Sequence, residues 1–260
     1  MAEGSILIAQ RLRFRQPRTL RLLGLSLATL AVGVVLMACG GGDGRSSEIV
    51  EASLVRQESL PGDDWRPVGE GLPDLFSLLD IAGLPEDGLL DHPACGALTE
   101  TIEESLIEFA HVPAEESGST AYVRGALPLS QALIVSMVVV YGDDERALQA
   151  ATELSGLLDD RLVAPCLAVL ADQITLLRGA TGTVTTPIVD LNDVGQLGFS
   201  FDGLVLIFPV QLRGELHVIQ HGRAVGVLAV IDFNTRFLRR DGSGVMRAFD
   251  DRLRAQASGI

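Results

Sequence analysis

A chain of 260 residues, 47% of them hydrophobic and 21% charged, is long enough to bury a sizeable core and too apolar to be a disordered tail. Its 34 acidic residues outnumber its 20 basic ones, for a formal net charge of −14, and a surface of that sign repels nucleic acid and anionic lipid headgroups. Every basic residue is an arginine, a bias that carries no functional meaning by itself.

The first element is a leader. Arg11, Arg13, Arg15, Arg18 and Arg21 precede an uncharged apolar run, Leu22 to Ala38, of 17 residues. Positive charge stays on the cytoplasmic side while such a run enters the bilayer, so the remainder is exported. The run closes on Leu36-Met37-Ala38-Cys39, followed by Gly40-Gly41-Gly42. That ending resembles the lipobox of bacterial lipoproteins. The resemblance implies cleavage before Cys39, a diacylglyceryl group on its sulfur, a further acyl chain such as palmitate on its new amino terminus, and a lipid anchor on the extracytoplasmic face of the cell membrane. Two or three such chains make a durable anchor, at about 0.8 kcal/mol per buried methylene. An uncleaved signal anchor is the alternative, because the run sits at the lower edge of the roughly 17 to 25 residues that span hydrocarbon. The chain divides accordingly into a signal peptide over 1–38, a lipidated cysteine and glycine-rich tether over 39–48, and one domain over 49–260. Taking away the leader's five arginines and its one acid, Glu3, leaves 15 basic and 33 acidic residues.

After the tether, Gly40 to Ser47 read as linker. Order is expected from near Ile49. Leu60-Pro61-Gly62-Asp63-Asp64-Trp65 reads as a turn that presents the only tryptophan. A short helix is expected from Asp74 to Asp80. A longer one follows, with Cys95, Leu98, Ile102, Leu106 and Phe109 at three- and four-residue steps and Glu100, Glu103, Glu104 and Glu108 facing away. Thr120–Ala126 and Ala132–Tyr141 read as neighbouring strands, the second apolar throughout and therefore buried on both faces. Gly142-Asp143-Asp144 caps a helix striped by Ala147, Ala151, Leu154 and Leu158. Another helix is expected to start at Pro165 and to carry Cys166, Val169, Leu170 and Ile174.

The second half reads mostly as strand. Thr183–Val189 and Leu204–Val210 are expected strands, with Pro187 and Pro209 marking edges or bulges. The clearest hairpin runs from Leu212 to Gln220, turns at His221-Gly222-Arg223 and returns from Ala224 to Phe233. Along its first arm Leu212, Gly214, Leu216 and Val218 form a core face, and Arg213, Glu215, His217 and His221 a wet one. A helix capped by Ser243 closes the chain, with Met246, Phe249 and Leu253 inward and Arg247, Asp250 and Arg254 outward. The expected fold is α+β: a curved antiparallel sheet with helices packed mainly on one face.

In an oxidising compartment thiols pair. With Cys39 committed to lipid, Cys95 and Cys166 are the remaining partners, and both lie on expected helices. A bridge between them stabilises by roughly 4 kcal/mol in the chain-entropy account. Two buried free thiols are the alternative. Of the metal candidates, His217 and His221 share a strand face but lie about 13 Å apart at about 3.3 Å per residue, too far for one ion. Asp190, Asn192, Asp193 and Gly195 resemble part of a calcium loop. Val194 and Phe201 stand where oxygen ligands are needed, so the stretch reads as a turn. No metal, cofactor or catalytic residue is assigned. There is no nucleophile elbow or glycine-rich phosphate loop, and Asp63, Asp64, Asp143 and Asp144 would support hydrolysis only if acids from different elements met in one cleft.

Taken in order, Leu60-Pro61-Gly62 with Trp65, the cysteine helix, the strand ending at Tyr141, the alanine-bearing helix, Cys166, a Gly195 loop and the hairpin at Gly222 resemble a known group. It is the extracytoplasmic sensor-type domain of mycobacterial serine/threonine kinases and of free-standing actinobacterial lipoproteins. The resemblance spans roughly Leu60 to Ala255. Kinase members usually carry two disulfides where this chain can form one, and no kinase domain is present. It implies a non-enzymatic ligand-binding or sensing module. Two readings follow. One is a small apolar ligand held between sheet and helices, where Gly195, Gly198, Gly203, Gly214 and Gly226 make room. The other is a scaffold that docks an envelope protein partner through the hairpin's polar face or the surface around Trp65.

Overall fold

The computed structural model describes residues 44–68, 92–98, 100–101, 112–126, 130–173, 178–189, 191, 194–205 and 208–258. The leader with Cys39, the expected helix over 74–80, the acidic helix beyond residue 101, Ile174, and Asp190, Asn192 and Asp193 lie outside the described residues.

Among the described residues seven strands form one antiparallel sheet: β1 (Trp65–Pro67), β2 (Ala114–Ala126), β3 (Ser130–Tyr141), β4 (Arg178–Thr185), β5 (Gly195–Val205), β6 (Phe208–His221) and β7 (Ala224–Phe233). Their order is β1-β2-β3-β7-β6-β5-β4. The chain leaves β3, crosses to the far edge at β4 and meanders back until β7 pairs with β3. Among the described residues the helices α1 (Gly44–Ser53), α2 (Asp144–Gly156), α3 (Asp160–Gln173) and α4 (Ser243–Ala257) accompany the sheet, and residues 93–98 are helical as well.

β3 dictates the layering. Its β-branched run is apolar on both sides, so each face needs a cover. Ile134, Val138 and Val140 share one core with Ile49 and Val50 of α1 and Met246, Phe249 and Leu253 of α4. Met137, Val139 and Tyr141 share the opposite core with Ala147, Ala150, Ala151 and Leu154 of α2. Further along that second face, Val163, Leu167 and Ala171 of α3 pack on Leu197, Phe199 and Phe201 of β5. The α+β class with an antiparallel sheet is as the sequence predicts, and the sheet is open. The helices, however, divide between the faces rather than gathering mainly on one, because β3 and its neighbours expose apolar side chains on both.

Several boundaries shift for identifiable reasons. α1 begins at Gly44, inside the expected tether, because Ser46 is fully buried and its Oγ donates to Glu115 Oε2 at 2.8 Å. Trp65 is 2% exposed rather than presented: its ring meets Phe237 edge-on at 5.0 Å and its Nε1 donates to Pro61 O. α3 starts at Asp160, with Asp159 Oδ1 accepting from Arg161 N, so Pro165 lies within the helix with its ring exposed. The expected strand over 183–189 is β4, ending at Thr185, and the one over 204–210 is split between the end of β5 and the start of β6. The stretch read as a Gly195 loop is β5. Pro209 pairs with β5 beyond the last β6–β7 partners, Leu212 and Phe233, where its missing N–H costs no ladder bond on that side. Ser243 caps nothing, because a π-helical turn, Leu238–Gly242, runs directly into α4. Asp143 does cap α2, its Oδ1 accepting from Arg146 N at 2.8 Å.

Candidate functional site

Alternation along β6 sends Gln211, Arg213, Glu215 and His217 to the face covered by α1 and α4. Register completes the row. Ser200 of β5 and Asp232 of β7 are the cross-strand partners of Arg213, and Asp202 is the partner of Gln211. A polar band thus crosses β5, β6 and β7 where the helices leave off. Ser200, Glu215, His217 and Asp232 in it are each under 5% exposed, so this side of the hairpin is not the wet face its polar pattern suggests. The segment before β5 closes over it: Ile188 N donates to Glu215 Oε1 at 2.7 Å, and Val189 is buried in the core shared with α1 and α4.

Most polar atoms in the band are engaged. Glu215 Oε2 lies 3.2 Å from His217 Nε2. Ser200 Oγ donates to Asp202 Oδ2 at 2.8 Å, and Gln211 Nε2 donates to Asp202 Oδ1. Asp232 Oδ1 accepts from Thr235 N at 2.8 Å and from Thr235 Oγ1, while its Oδ2 accepts from Leu238 N at 3.0 Å. Asp232 therefore supplies the N-terminal acceptor that Ser243 does not. Arg213 is the exception. Half-buried between Ser200 and Asp232, it forms no ion pair among the described residues, and its Nε is shut off from solvent without a hydrogen-bond partner.

The turn that Asp232 organises carries three more arginines. Asn234 and Arg236 adopt left-handed backbone, φ 58° and 63°, which costs on the order of 1 kcal/mol for a side chain such as arginine. Arg240 N donates to Arg236 O at 3.1 Å, stacking the two residues one turn apart, with Arg239 beside them. Phe237 and Leu238 anchor the turn in the core. Arg236, Arg239 and Arg240 are exposed, and none forms a side-chain ion pair or hydrogen bond among the described residues.

At the opposite end of the sheet, polar contacts join elements together. His221 Nε2 lies 2.6 Å from Asp250 Oδ1, and Arg254 Nη2 lies 2.7 Å from Asp250 Oδ2. Asp250, expected outward, is only 5% exposed because it clamps α4 to the β6–β7 turn. Arg223 Nη1 donates to Glu115 Oε2 at 2.7 Å, the oxygen that also holds Ser46.

Position in the sheet separates the residues that sequence pattern singles out. His217 and His221, four residues apart on one strand, take different acid partners, Glu215 and Asp250. Asp63 and Asp64 adjoin the Trp65–Arg124 pairing, while Asp143 and Asp144 follow the Ala114–Tyr141 pairing at the other end of β2, about 30 Å away at about 3.3 Å per residue. The acids named for hydrolysis do not meet in one cleft. Ser200 stands four β6 positions from His217 through its partner Arg213, about 13 Å away, so no serine–histidine–acid set assembles there. Cys95 and Cys166 are within disulfide distance, S–S 2.05 Å and Cα–Cα 4.6 Å, joining residues 93–98 to α3. Among the described residues no group of three or more His, Cys, Asp or Glu could hold a metal ion, and no helix is long and apolar enough to cross a membrane.

Four of the five glycines expected to open an apolar cavity are filled. The Phe199 ring lies over Gly214, Phe249 and Leu253 over Gly226, Ser155 against Gly195 and Thr185 against Gly198. Sequence reasoning misses the polar band because alternation alone cannot say whether a polar face is wet or covered. The signal present is the density of hydrogen-bonding side chains at alternate positions of β6, which reads as solvent exposure when one strand is taken alone.

No protein-family model matches this chain, and no curated protein matches it. Among solved structures, it is similar to the extracellular domain of PknH from Mycobacterium tuberculosis. The likeness covers 80% of this chain and 96% of that chain at 8% identity, with a TM-score of 0.39.

Proposed function

We propose that the chain is an extracytoplasmic recognition module, held to the cell membrane by lipid on Cys39, which binds a polar ligand beside the β5–β6–β7 band and performs no catalysis of its own. Arg213 is the observation that carries this reading. A half-buried guanidinium is ordinarily paired with an acid, because its desolvation is otherwise uncompensated. Here Asp232, its cross-strand partner, and Asp202, the partner of Gln211 two positions along β6, commit their oxygens to other donors. A ligand would supply the missing acceptor. The filled glycine positions argue against the alternative of an apolar ligand between sheet and helices. Export is supported by the arginine-led apolar leader and by a cysteine pair at disulfide distance.

The anchor is tested by intact-mass measurement of protein taken from the envelope. The expected species starts at Cys39 and carries diacylglyceryl and acyl mass; an unmodified Cys39, or a chain still holding residues 1–38, overturns the anchor. Binding is tested by native mass spectrometry of the same material. A polar ligand retained by wild type and lost in Arg213→Met is expected, and an apolar ligand, or one held equally by both, refutes the assignment of the band.

A further inference from the structure

We propose that Arg236, Arg239 and Arg240, together with Arg213, form a recognition surface for a soluble phosphate-bearing ligand; the inference rests on the recognition reading above and names its ligand class. After the leader is removed the chain holds 33 acids against 15 arginines. Arg124, Arg146, Arg223 and Arg254 each form an ion pair. Other arginines, exposed Arg161 and Arg247 among them, also form no ion pair, but among the described residues only this turn places three exposed arginines without an acid partner within five residues of one another. The turn's acids do not quench them: Asp232 is buried and saturated by Thr235 and Leu238, and Asp241 forms no ion pair among the described residues. Arg213, one strand position across from Asp232, is the independent observation, a half-buried guanidinium whose Nε has no partner.

The chemistry follows from the cation. Planar guanidinium forks match the oxygens of phosphate, and several unpaired forks favour a multiply charged anion over a single carboxylate. The net negative surface opposes an extended polyanion at long range, which leaves a compact phosphate group as the fitting ligand. Its source is set by geometry. α1 begins beside Glu115 and Arg223, at the β6–β7 turn, whereas the arginine turn follows the other end of β7. Ten residues of β7 separate the two ends by about 30 Å. The link from Cys39 to Gly44 reaches at most about 18 Å. The membrane holding Cys39 thus lies nearer the far end, and the ligand's phosphate comes from solution rather than from that bilayer's headgroups.

The test titrates inorganic phosphate and glycerol phosphate, with acetate as control, into the full-length protein in neutral detergent, read by calorimetry at low and at physiological ionic strength. Wild type is expected to bind both phosphates saturably in the millimolar range or tighter, acetate far more weakly, with affinity falling as salt rises. The exposed triple variant R236E/R239E/R240E is expected to lose about tenfold or more, as is Arg213→Met. Circular dichroism melts check that each variant folds, and the triple variant, being wholly on the surface, remains decisive if Arg213→Met does not. Wild type that binds no phosphate, variants that bind as wild type does, or arginine-dependent binding only to phosphatidylglycerol vesicles or only to an acidic protein would each overturn the proposal. Failure of the recognition module's export shows separately, as an unlipidated Cys39 in the envelope measurement.

Discussion

Two single residues show how tightly the two cores are filled. Gly214 lies under the Phe199 ring, and a Cβ there would overlap three of its carbons. Gly214→Ala is therefore expected to destabilise by about 1–3 kcal/mol, because neither the ring nor β6 can retreat without disturbing α3. A urea titration measures it, and a change under about 0.5 kcal/mol would mean that the ring swings aside. Tyr141 is the reverse case. Fully buried, it holds a hydroxyl with no hydrogen-bond partner among the described residues, and burial pushes its phenol above the ordinary tyrosine value. Tyr141→Phe is expected to be neutral or stabilising by up to about 1 kcal/mol, since it removes an uncompensated polar group. The linkage has a definite sign. A group that keeps its proton longer in the folded state contributes stability below its unfolded value, which is lost as pH rises from about 10. The wild type should lose stability along that alkaline limb more steeply than Tyr141→Phe, and coincident curves would place the hydroxyl in contact with water.

Among elements, the cysteine pair and the Asp232 turn do different work. The pair joins residues 93–98 to α3 across a sequence separation of 71. Chain-entropy reasoning assigns closure of such a loop roughly 4 kcal/mol. The double variant Cys95→Ser/Cys166→Ser is expected to lose about that much in denaturant titration, and wild type treated with reductant should fall to the same value. Equal stability with and without reductant would remove the staple. The hairpin and β3 are legible in the sequence, since a glycine turn between alternating arms and a β-branched run are local signals; the turn is one residue shorter than read, because His221 pairs with Ala224, and Gly222 takes φ 51°, which glycine adopts freely. β5 is not legible. Gly195, Gly198 and Gly203 dilute its pattern, and the meaning of Gly195 and Gly198 as places where Ser155 and Thr185 approach exists only once α2 and β4 are in position. The same holds for the lead into α4, a π-helical turn whose first N–H, Leu238 N, is held by an aspartate on β7, while Ser243 caps nothing.

At the scale of the whole molecule, charge is the dominant variable. With 33 acids against 15 arginines after the leader, self-repulsion is unrelieved across most of the surface. Raising ionic strength from 0.01 M to 0.15 M shortens the screening length from about 30 to about 8 Å. Tm is expected to rise over that interval by about 2–4 °C for each kcal/mol of repulsion relieved. A falling Tm would mean that the ion pairs binding α1, α4 and the β6–β7 turn outweigh the net charge. Composition, the arginine-led apolar leader, the candidate cysteine pair and the alternation of strands and helices were all determined by sequence alone, because each is a local or additive property. Which face of β6 is dry, where the glycine space goes, and which arginines are left without an acid were decided only by tertiary structure. The reason is physical: burial and ion pairing depend on what a second, distant segment places against a residue, and no pattern within one strand contains that information.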